Sequence, residues 1–524
     1  MNKILNAVAL CALGSAVLAG PAGAADLTIA LSSEATSIDP HYHNLGPNNQ
    51  INRHIFDRLI NQGPNQELWP GLAESWSVTD DPTVWEFRLR RGVTFHDGSP
   101  FTAADVAFTI GRAGNVPNSP SGYGTYTKQI VETTVVDDHT IHFRTASPYP
   151  LIPNDLSTVA IISRKVGEEA ATEDYNSGKS AIGTGPFRFV EYVPGDRIVL
   201  RRNDDYWGDK PEWDQVTLKA ITSAPSRVAA LLAGDVDMIE GVPTADIPRL
   251  RDNPDVALSQ GVSNRVIYLH IDSDREVTPM VTAKDGGEIP NPFRDVRARR
   301  AISIAINRPA IVERVMDGVA IPAGQLLPDG FFGVSENIQV PEYDAAQARA
   351  LLAEAGYPDG FKLTIHGPND RYINDDKIIQ AIAQMLARVG IEAEVDAMPR
   401  STYFGRASAL EFSLMLVGWG SGTGEASSPL KALLLTNDKE RGFGNANRGR
   451  YSNPEVDALV VEALAAVDDA KRQDLLARAT EIAMADVGLI PLHFQVNTWG
   501  TRPGLRYQAR TDEYTLAQGV VSTQ

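Results

Sequence analysis

LAESWSVTDDPTVWEFRLRRGVTFHDGSPFTAADVAFTI, residues Leu72 to Ile110, sets the fold class through the order of its signals. Trp85, Phe87 and Leu89 alternate with Glu86, Arg88 and Arg90, so one face of a strand is apolar and the other charged, the pattern of a half-buried strand. The turn His96-Asp97-Gly98 follows. Asp105 then stands three residues after Thr102, the spacing at which a hydroxyl and a carboxylate satisfy the free amides of a helix's first turn. Strand, turn and capped helix predict that a mixed α/β unit begins here.

On the N-terminal side, Leu27 to Leu31 predicts a short strand, and Ile51, Ile55 and Leu59 recur at four-residue spacing as on one helix face. On the C-terminal side, Val131 to Val136 and Thr140 to Arg144 predict a hairpin across Asp137-Asp138-His139. Gly183-Thr184-Gly185-Pro186-Phe187 punctuates the chain and precedes a second hairpin, Phe187 to Val193 and Arg197 to Arg201, around Pro194-Gly195. A crossover between domains is expected at this point. A phosphate-binding glycine loop would open a helix instead.

From Asn291 onward the pattern turns helical. Asp344 to Ala355 is closed by Gly356, and Asp375 to Val389 by Gly390, with Ile378, Ile382, Leu386 and Val389 on one face. Phe361 to Ile365 precedes that second helix and Ile391 to Val395 follows it, so a parallel pair with a right-handed crossover is expected. Asn453 caps a helix carrying Val456, Leu459, Val460, Ala463, Leu464 and Val467, and Ala470 to Ala485 forms another. These aliphatic stripes face a core. Neither an internal repeat nor a low-complexity linker interrupts the chain.

The 524 residues exceed one ordinary core, and 43% of them are hydrophobic, so two or three packed lobes are expected. Lys3, the apolar run Ile4 to Leu18 and the small residues Ala22-Gly23-Ala24 make residues 1–25 a secretory signal peptide. No later stretch approaches the roughly 20 apolar residues of a membrane-spanning helix. Cys11, the single cysteine, lies inside that leader. It sits too early for a lipid anchor, and one cysteine excludes a disulfide scaffold. An exported, unanchored chain without cysteine fits a bacterial periplasm. The net charge of -18 disfavours nucleic acid and, because the acidic residues are scattered, reads as colloidal solubility.

Residues 72–110, GTGPFRFVEYVPGDRIVLRRNDDYWG (183–208), NPFRDVRARRAISIAINRPAI (291–311) and YDAAQARALLAEAGYPDGF (343–361) together resemble, in order and spacing, the extracellular solute-binding proteins of the peptide and nickel ABC importers. The resemblance spans essentially the whole mature chain. It implies an α/β, periplasmic-binding-protein-like fold with two main lobes around a hinged cleft and an inserted strand-rich third. Lobe I would comprise 26–59, 182–288 and 486–524, lobe II 60–181 and lobe III 289–485. It further implies a monomer that captures a small peptide or similar polar solute, closes over it, and delivers it to ABC permease subunits. No cofactor, resident metal or catalytic residue is implied.

Family members line the cleft from a few places, and the matching positions here are Tyr42, His43 and Asn44 after the first strand; Arg371 and Tyr372; Trp419, Gly420, Gly422 and Glu425; and His493 and Phe494. Arginine suits a ligand carboxylate because it donates two parallel hydrogen bonds. Gly418-Trp419-Gly420 follows the apolar strand Phe412 to Val417 and is expected to emerge at a strand end, where α/β folds place ligands. Peptide binders carry an aspartate three residues after this tryptophan to hold the ligand's α-ammonium; here Gly422 stands there, and Glu425 is the candidate replacement. His41 and His43 are one residue apart, but a His-x-His without a third ligand is a weak metal site.

Three readings remain at this stage: a peptide receptor; a receptor of the same fold for a glutathione-like, opine or metal-chelate solute; and a periplasmic peptide-binding chaperone. A hydrolase is disfavoured, because neither a G-x-S-x-G elbow nor an H-E-x-x-H helix is present.

Overall fold

The structure, a computed structural model, describes residues 25–523; the leader expected over residues 1–25 lies outside them except for Ala25. A sheet of 12 strands runs through the molecule. Its spatial order is Val281–Thr282, Lys362–Pro368, Leu414–Gly420, Ala257–Ile271, Ile490–Thr501, Met238–Ile239, Asp26–Leu31, Gln215–Ala220, Arg197–Arg202 and Phe187–Val193, with Ala320–Pro322 and Glu392–Met398 branching from it. A separate antiparallel sheet of four strands contains Ala73–Val78, Val84–Leu89, Thr140–Thr145 and Ile130–Asp137 in that order.

The opening stretch folds as its pattern dictates. Trp85, Phe87 and Leu89 are buried and Arg88 is exposed, and Phe87 meets Phe143 edge-on at 5.2 Å between ring centres. Thr102 and Asp105 form the capping box of helix Ala103–Ala113. The strands Lys362–Pro368 and Glu392–Met398 pair in parallel across helix Asp375–Ala387. Gly360, with φ +75° and the Gly390 carbonyl only 2.0 Å from where a Cβ would lie, holds the turn into the first of them.

Four regions of core result, one of them a small cluster of Val228, Leu231, Ile239, Ile247 and Leu250. Leu27, Ile51, Phe56, Phe187, Leu200, Trp499 and Val520 pack together, joining the start, middle and end of the chain in a terminal core. Leu59, Phe87, Phe95, Val106, Ile141 and Ile152 form a hairpin core. The helical core lies on both faces of the strand Leu414–Gly420: Leu414 and Leu416 face one side with Ile302, Ile378 and Leu386, and Met415 and Val417 face the other with Tyr403, Leu430 and Leu476. Successive side chains of a strand point to opposite faces, so helices cover this part of the sheet on both sides.

Two expectations shift. Helix Gly46–Ile55 stops at Ile55 because Phe56 is extended, so Leu59 does not continue its face and packs in the hairpin core instead. The chain also re-enters the terminal core before the glycine cluster: Ala160, Ile162, Tyr175 and Ala181 pack there, and Ile161 N–H donates to the Asp57 carbonyl at 2.8 Å beside the outgoing passage. Gly183 and Gly185 then press against that passage, where a Cβ on Gly183 would stand 2.0 Å from the Ile55 carbonyl oxygen.

The terminal and helical cores are joined by the two longest strands, the 15-residue Ala257–Ile271 and the 12-residue Ile490–Thr501. Residues 257–262 pair with 496–501 in the terminal part, while 265–271 pair with Leu414–Gly420 in the helical part. The register breaks between Val262 and Val266. Such a bulge bends a strand and frees its backbone groups for other partners, and this one sits where the two cores meet.

Candidate ligand-binding seam

The bulge residues Ser263, Asn264 and Arg265 are held by a strap at the end of the chain. Glu513 accepts from Ser263 Oγ at 2.7 Å, from Arg265 Nε at 3.1 Å and Nη2 at 2.8 Å, and from Gln495 Nε2 at 3.2 Å. It does so from a left-handed backbone conformation, φ +69°, uncommon for a residue with a Cβ. Burial, the largest single influence, opposes its charge, but Arg265, the Ser263 hydroxyl and the nearby charge of Arg371 together hold the Glu513 carboxyl below the usual range. Beside it Arg510 pairs with Asp512 at 2.6 Å.

Residues 421–423 approach this strap from the helical side and present three consecutive carbonyls. Ser421 O accepts from Asn264 Nδ2 at 2.7 Å and Gln66 Nε2 at 3.0 Å, Gly422 O from Gln62 Nε2 at 3.0 Å, and Thr423 O from Asn154 Nδ2 at 3.0 Å. Gln62, Gln66 and Asn154 lie on or beside the hairpin core, so these amides fasten one side of the seam to the other. Gly424 is required by this closeness: its φ is +71° and a Cβ there would lie 2.9 Å from that of Gln66.

Several of the candidate residues gather here. Trp419 and Gly420 lie inside the strand rather than beyond its end. Trp419 shares a register row with Val266 and Phe494, and its indole Nε1 is buried without a hydrogen-bond partner. Gly420 stands beside Arg265, whose Nη2 would be 3.2 Å from a Cβ. Tyr372 covers Gly418 and donates to its carbonyl at 3.2 Å, with the Arg371 guanidinium 5.0 Å above its ring. Asn44 Nδ2 lies 3.5 Å from Tyr126 Oη, the hydroxyl that faces Gly422 at 3.6 Å from a Cβ position.

Others sit elsewhere. Phe494 packs in the helical core. His493, on the strand's opposite face, is 1% exposed with neither ring nitrogen partnered; burial lowers its pKa to about 4. Tyr42 is half-buried and its carbonyl receives the Ser119 hydroxyl. His43 bonds Thr36 Oγ1 at 2.9 Å. His41 is buried between Arg112 Nη1 at 3.1 Å and the Ala160 carbonyl at 2.8 Å, so the two imidazoles of the His-x-His are spent separately; among the described residues no three His, Cys, Asp or Glu side chains stand together as a metal cage. Glu425 is 2% exposed, with Arg472 Nη1 and the Ser427 hydroxyl donating to its two oxygens. Its charge already has a partner.

Sequence reasoning passed over Arg53, Arg265, Glu513 and Tyr514. Nothing local marks them: each gains its place only when the end of the chain is laid across the bulge. Arg53 Nη2 donates to Gln62 Oε1 at 3.1 Å, and its guanidinium lies 5.2 Å from the centre of the Tyr514 ring.

Two packed bodies joined by a pair of long strands, meeting across a polar seam, define a solute-binding protein. The model of the bacterial extracellular solute-binding proteins, family 5, matches residues 67–441, and the chain belongs to that family. The glutathione-binding protein GsiB of Pectobacterium atrosepticum is 31% identical over 484 residues, 90% of this chain and 89% of that one. In fold the chain resembles DppA, an ABC transporter-associated periplasmic binding protein from Helicobacter pylori solved with the peptide STSA (TM-score 0.77, 24% identity, 95% and 98% covered), and HbpA2 from Haemophilus parasuis (TM-score 0.81, 23% identity, 95% and 100% covered). The fold is that of the periplasmic binding proteins.

Proposed function

We propose that this protein works in the periplasm as a monomeric receptor that closes over a small peptide or similar polar solute in the seam and releases it unchanged to an ABC permease. The lobes that close are those drawn from the sequence, 26–59 with 182–288 and 486–524 against 289–485, with 60–181 as an insert whose last part, from Ala160, packs back on the terminal core. The observation that carries the reading is the pair of strands crossing between the cores with a bulge at the crossing, because two flexible strands permit rigid bodies to rotate while the cores stay packed. Solute recognition can then be reported to a permease as a change of shape. No step in it makes or breaks a bond, and it involves no nucleic acid. Among the described residues no helix is long and apolar enough to cross a membrane.

A glutathione-like solute is favoured over an ordinary peptide by the GsiB relatives; Gly422 in place of the aspartate, with Glu425 paired to Arg472, speaks against an ammonium held at the place peptide binders use. Small-angle scattering tests the reading. Adding glutathione or a di- or tripeptide pool to protein freed of bound solute should reduce the radius of gyration, with no product by mass spectrometry. Dimensions unchanged by every solute, or a product accumulating, would overturn it.

A further inference from the structure

The carboxylates around the seam are spent. Glu513 is paired with Arg265, Asp512 with Arg510 and Glu425 with Arg472. Asp155, 4% exposed and holding the Tyr149 hydroxyl at 2.9 Å, has its pKa pushed by burial up to about 8, which favours its neutral form. Two guanidiniums are left over, one from each side. Arg53 comes from helix Gly46–Ile55; its Nε is buried without a partner. Arg371 comes from the segment between Lys362–Pro368 and Asp375–Ala387; it is exposed, and crowding by protein and then the nearby charge of Arg265 lower its pKa against the pull of Tyr372 and Glu513. Among the described residues neither meets a carboxylate, and Arg371 donates no side-chain hydrogen bond. Keeping the Arg53 Nε from water without an acceptor is costly, and bringing two bodies together with cations at their junction adds repulsion.

We infer that the seam takes a solute with at least two anionic groups, bound between Arg53 on one side and Arg371 on the other, and gives an α-ammonium no countercharge of its own. The anion then favours closure: it gives each guanidinium a directly bonded carboxylate, which neither has within the protein, and each offers it the paired, charge-assisted bonds that arginine makes best. Tyr514 under Arg53 and Tyr372 under Arg371 hold the planes of the two guanidiniums. Trp419 adds an apolar wall with a free donor. This inference rests on the receptor reading and narrows its ligand to acidic, carboxylate-bearing solutes.

The test uses one tripeptide pool in three chemical forms: free, C-terminally amidated, and N-succinylated, the last carrying two carboxylates and no ammonium. Calorimetry at pH 7 on protein freed of bound solute should find the succinylated pool bound at least as well as the free one and the amidated pool bound at least about 10-fold more weakly, the loss expected for a charged hydrogen bond. Arg53→Gln and Arg371→Gln should each weaken the succinylated pool by about 10-fold or more, and Arg371→Lys should recover part of the loss. Circular dichroism melts check that the variants fold. Amidated peptides binding as well as succinylated ones, or Gln variants binding as wild type, would overturn the inference. If solutes close the protein in scattering but no carboxylate-rich pool binds, the inference fails and the receptor stands; if nothing closes it, both fall.

Discussion

Glu425 and Arg472 illustrate how a residue's surroundings decide its role. The pair is 2% and 8% exposed in its side chains, and Arg472 also lies 4.1 Å over the Phe332 ring. Replacing one partner of a buried pair strands the other charge, at about 3–5 kcal/mol. Glu425→Gln is therefore expected to lower the urea midpoint with an unchanged slope, while the folded fraction keeps its affinity for solute. His493 gives a second residue-scale expectation. Burial holds its folded pKa near 4, below the unfolded value of about 6.5, so its contribution to stability is whole above that value and is lost as the pH falls through the window between them. At pH 5 the penalty is about 2 kcal/mol, against a few tenths at pH 7. His493→Leu should accordingly narrow the stability difference between pH 7 and pH 5 by about that amount in denaturant titrations. An unchanged difference would mean that water reaches the imidazole.

Among the elements, those with an unbroken local period were legible and those defined by distant contacts were not. The alternation in Val84–Leu89, the box at Thr102 and Asp105, and the caps Asp344 and Asn453 each follow from a few neighbouring residues, and each forms. The crossing strand Ala257–Ile271 escaped because Gly261 and the polar run Ser263-Asn264-Arg265 break its apolar pattern, and that break is the bulge itself. Trp419 was legible as a seam residue but not as part of a strand, since glycines on both sides read as loop. Arg53 and Glu513 were illegible because 460 residues of chain separate them. The glycine cluster at 183–187 belongs between these cases: its punctuation is visible, its reason is the Ile55 carbonyl beside Gly183. Gly183→Ala would force backbone apart where the passages lie together, at a cost on the order of 3 kcal/mol. Urea titration should show it, with faster proteolysis near residues 55–60. A neutral substitution would mean that the passages can separate without loss.

The whole molecule must balance closing against opening, and the three carbonyls at 421–423 are where that balance is set. Closing exchanges water on these carbonyls for the amides of Gln62, Gln66, Asn154 and Asn264, each net bond being worth about 1 kcal/mol. That is enough to favour contact without locking it. Solute binding needs the closed arrangement, so apparent affinity falls in proportion to the fraction of molecules able to adopt it. In Gln66→Ala combined with Asn154→Ala, residues that meet the 421–423 carbonyls rather than Arg53 or Arg371, the bond that Gln66 shares between the Ser421 and Gly422 carbonyls and the bond from Asn154 to the Thr423 carbonyl are lost, about 2 kcal/mol. The solute-free variant should be measurably more open by small-angle scattering, and affinity for any solute that closes the wild type should fall by roughly 10–30-fold, mainly through faster dissociation. The two readouts must move together. Weaker binding with unaltered solute-free dimensions would place these amides in direct recognition instead, and a variant that opens without losing affinity would show that the lobes need not meet at 421–423 to hold their guest.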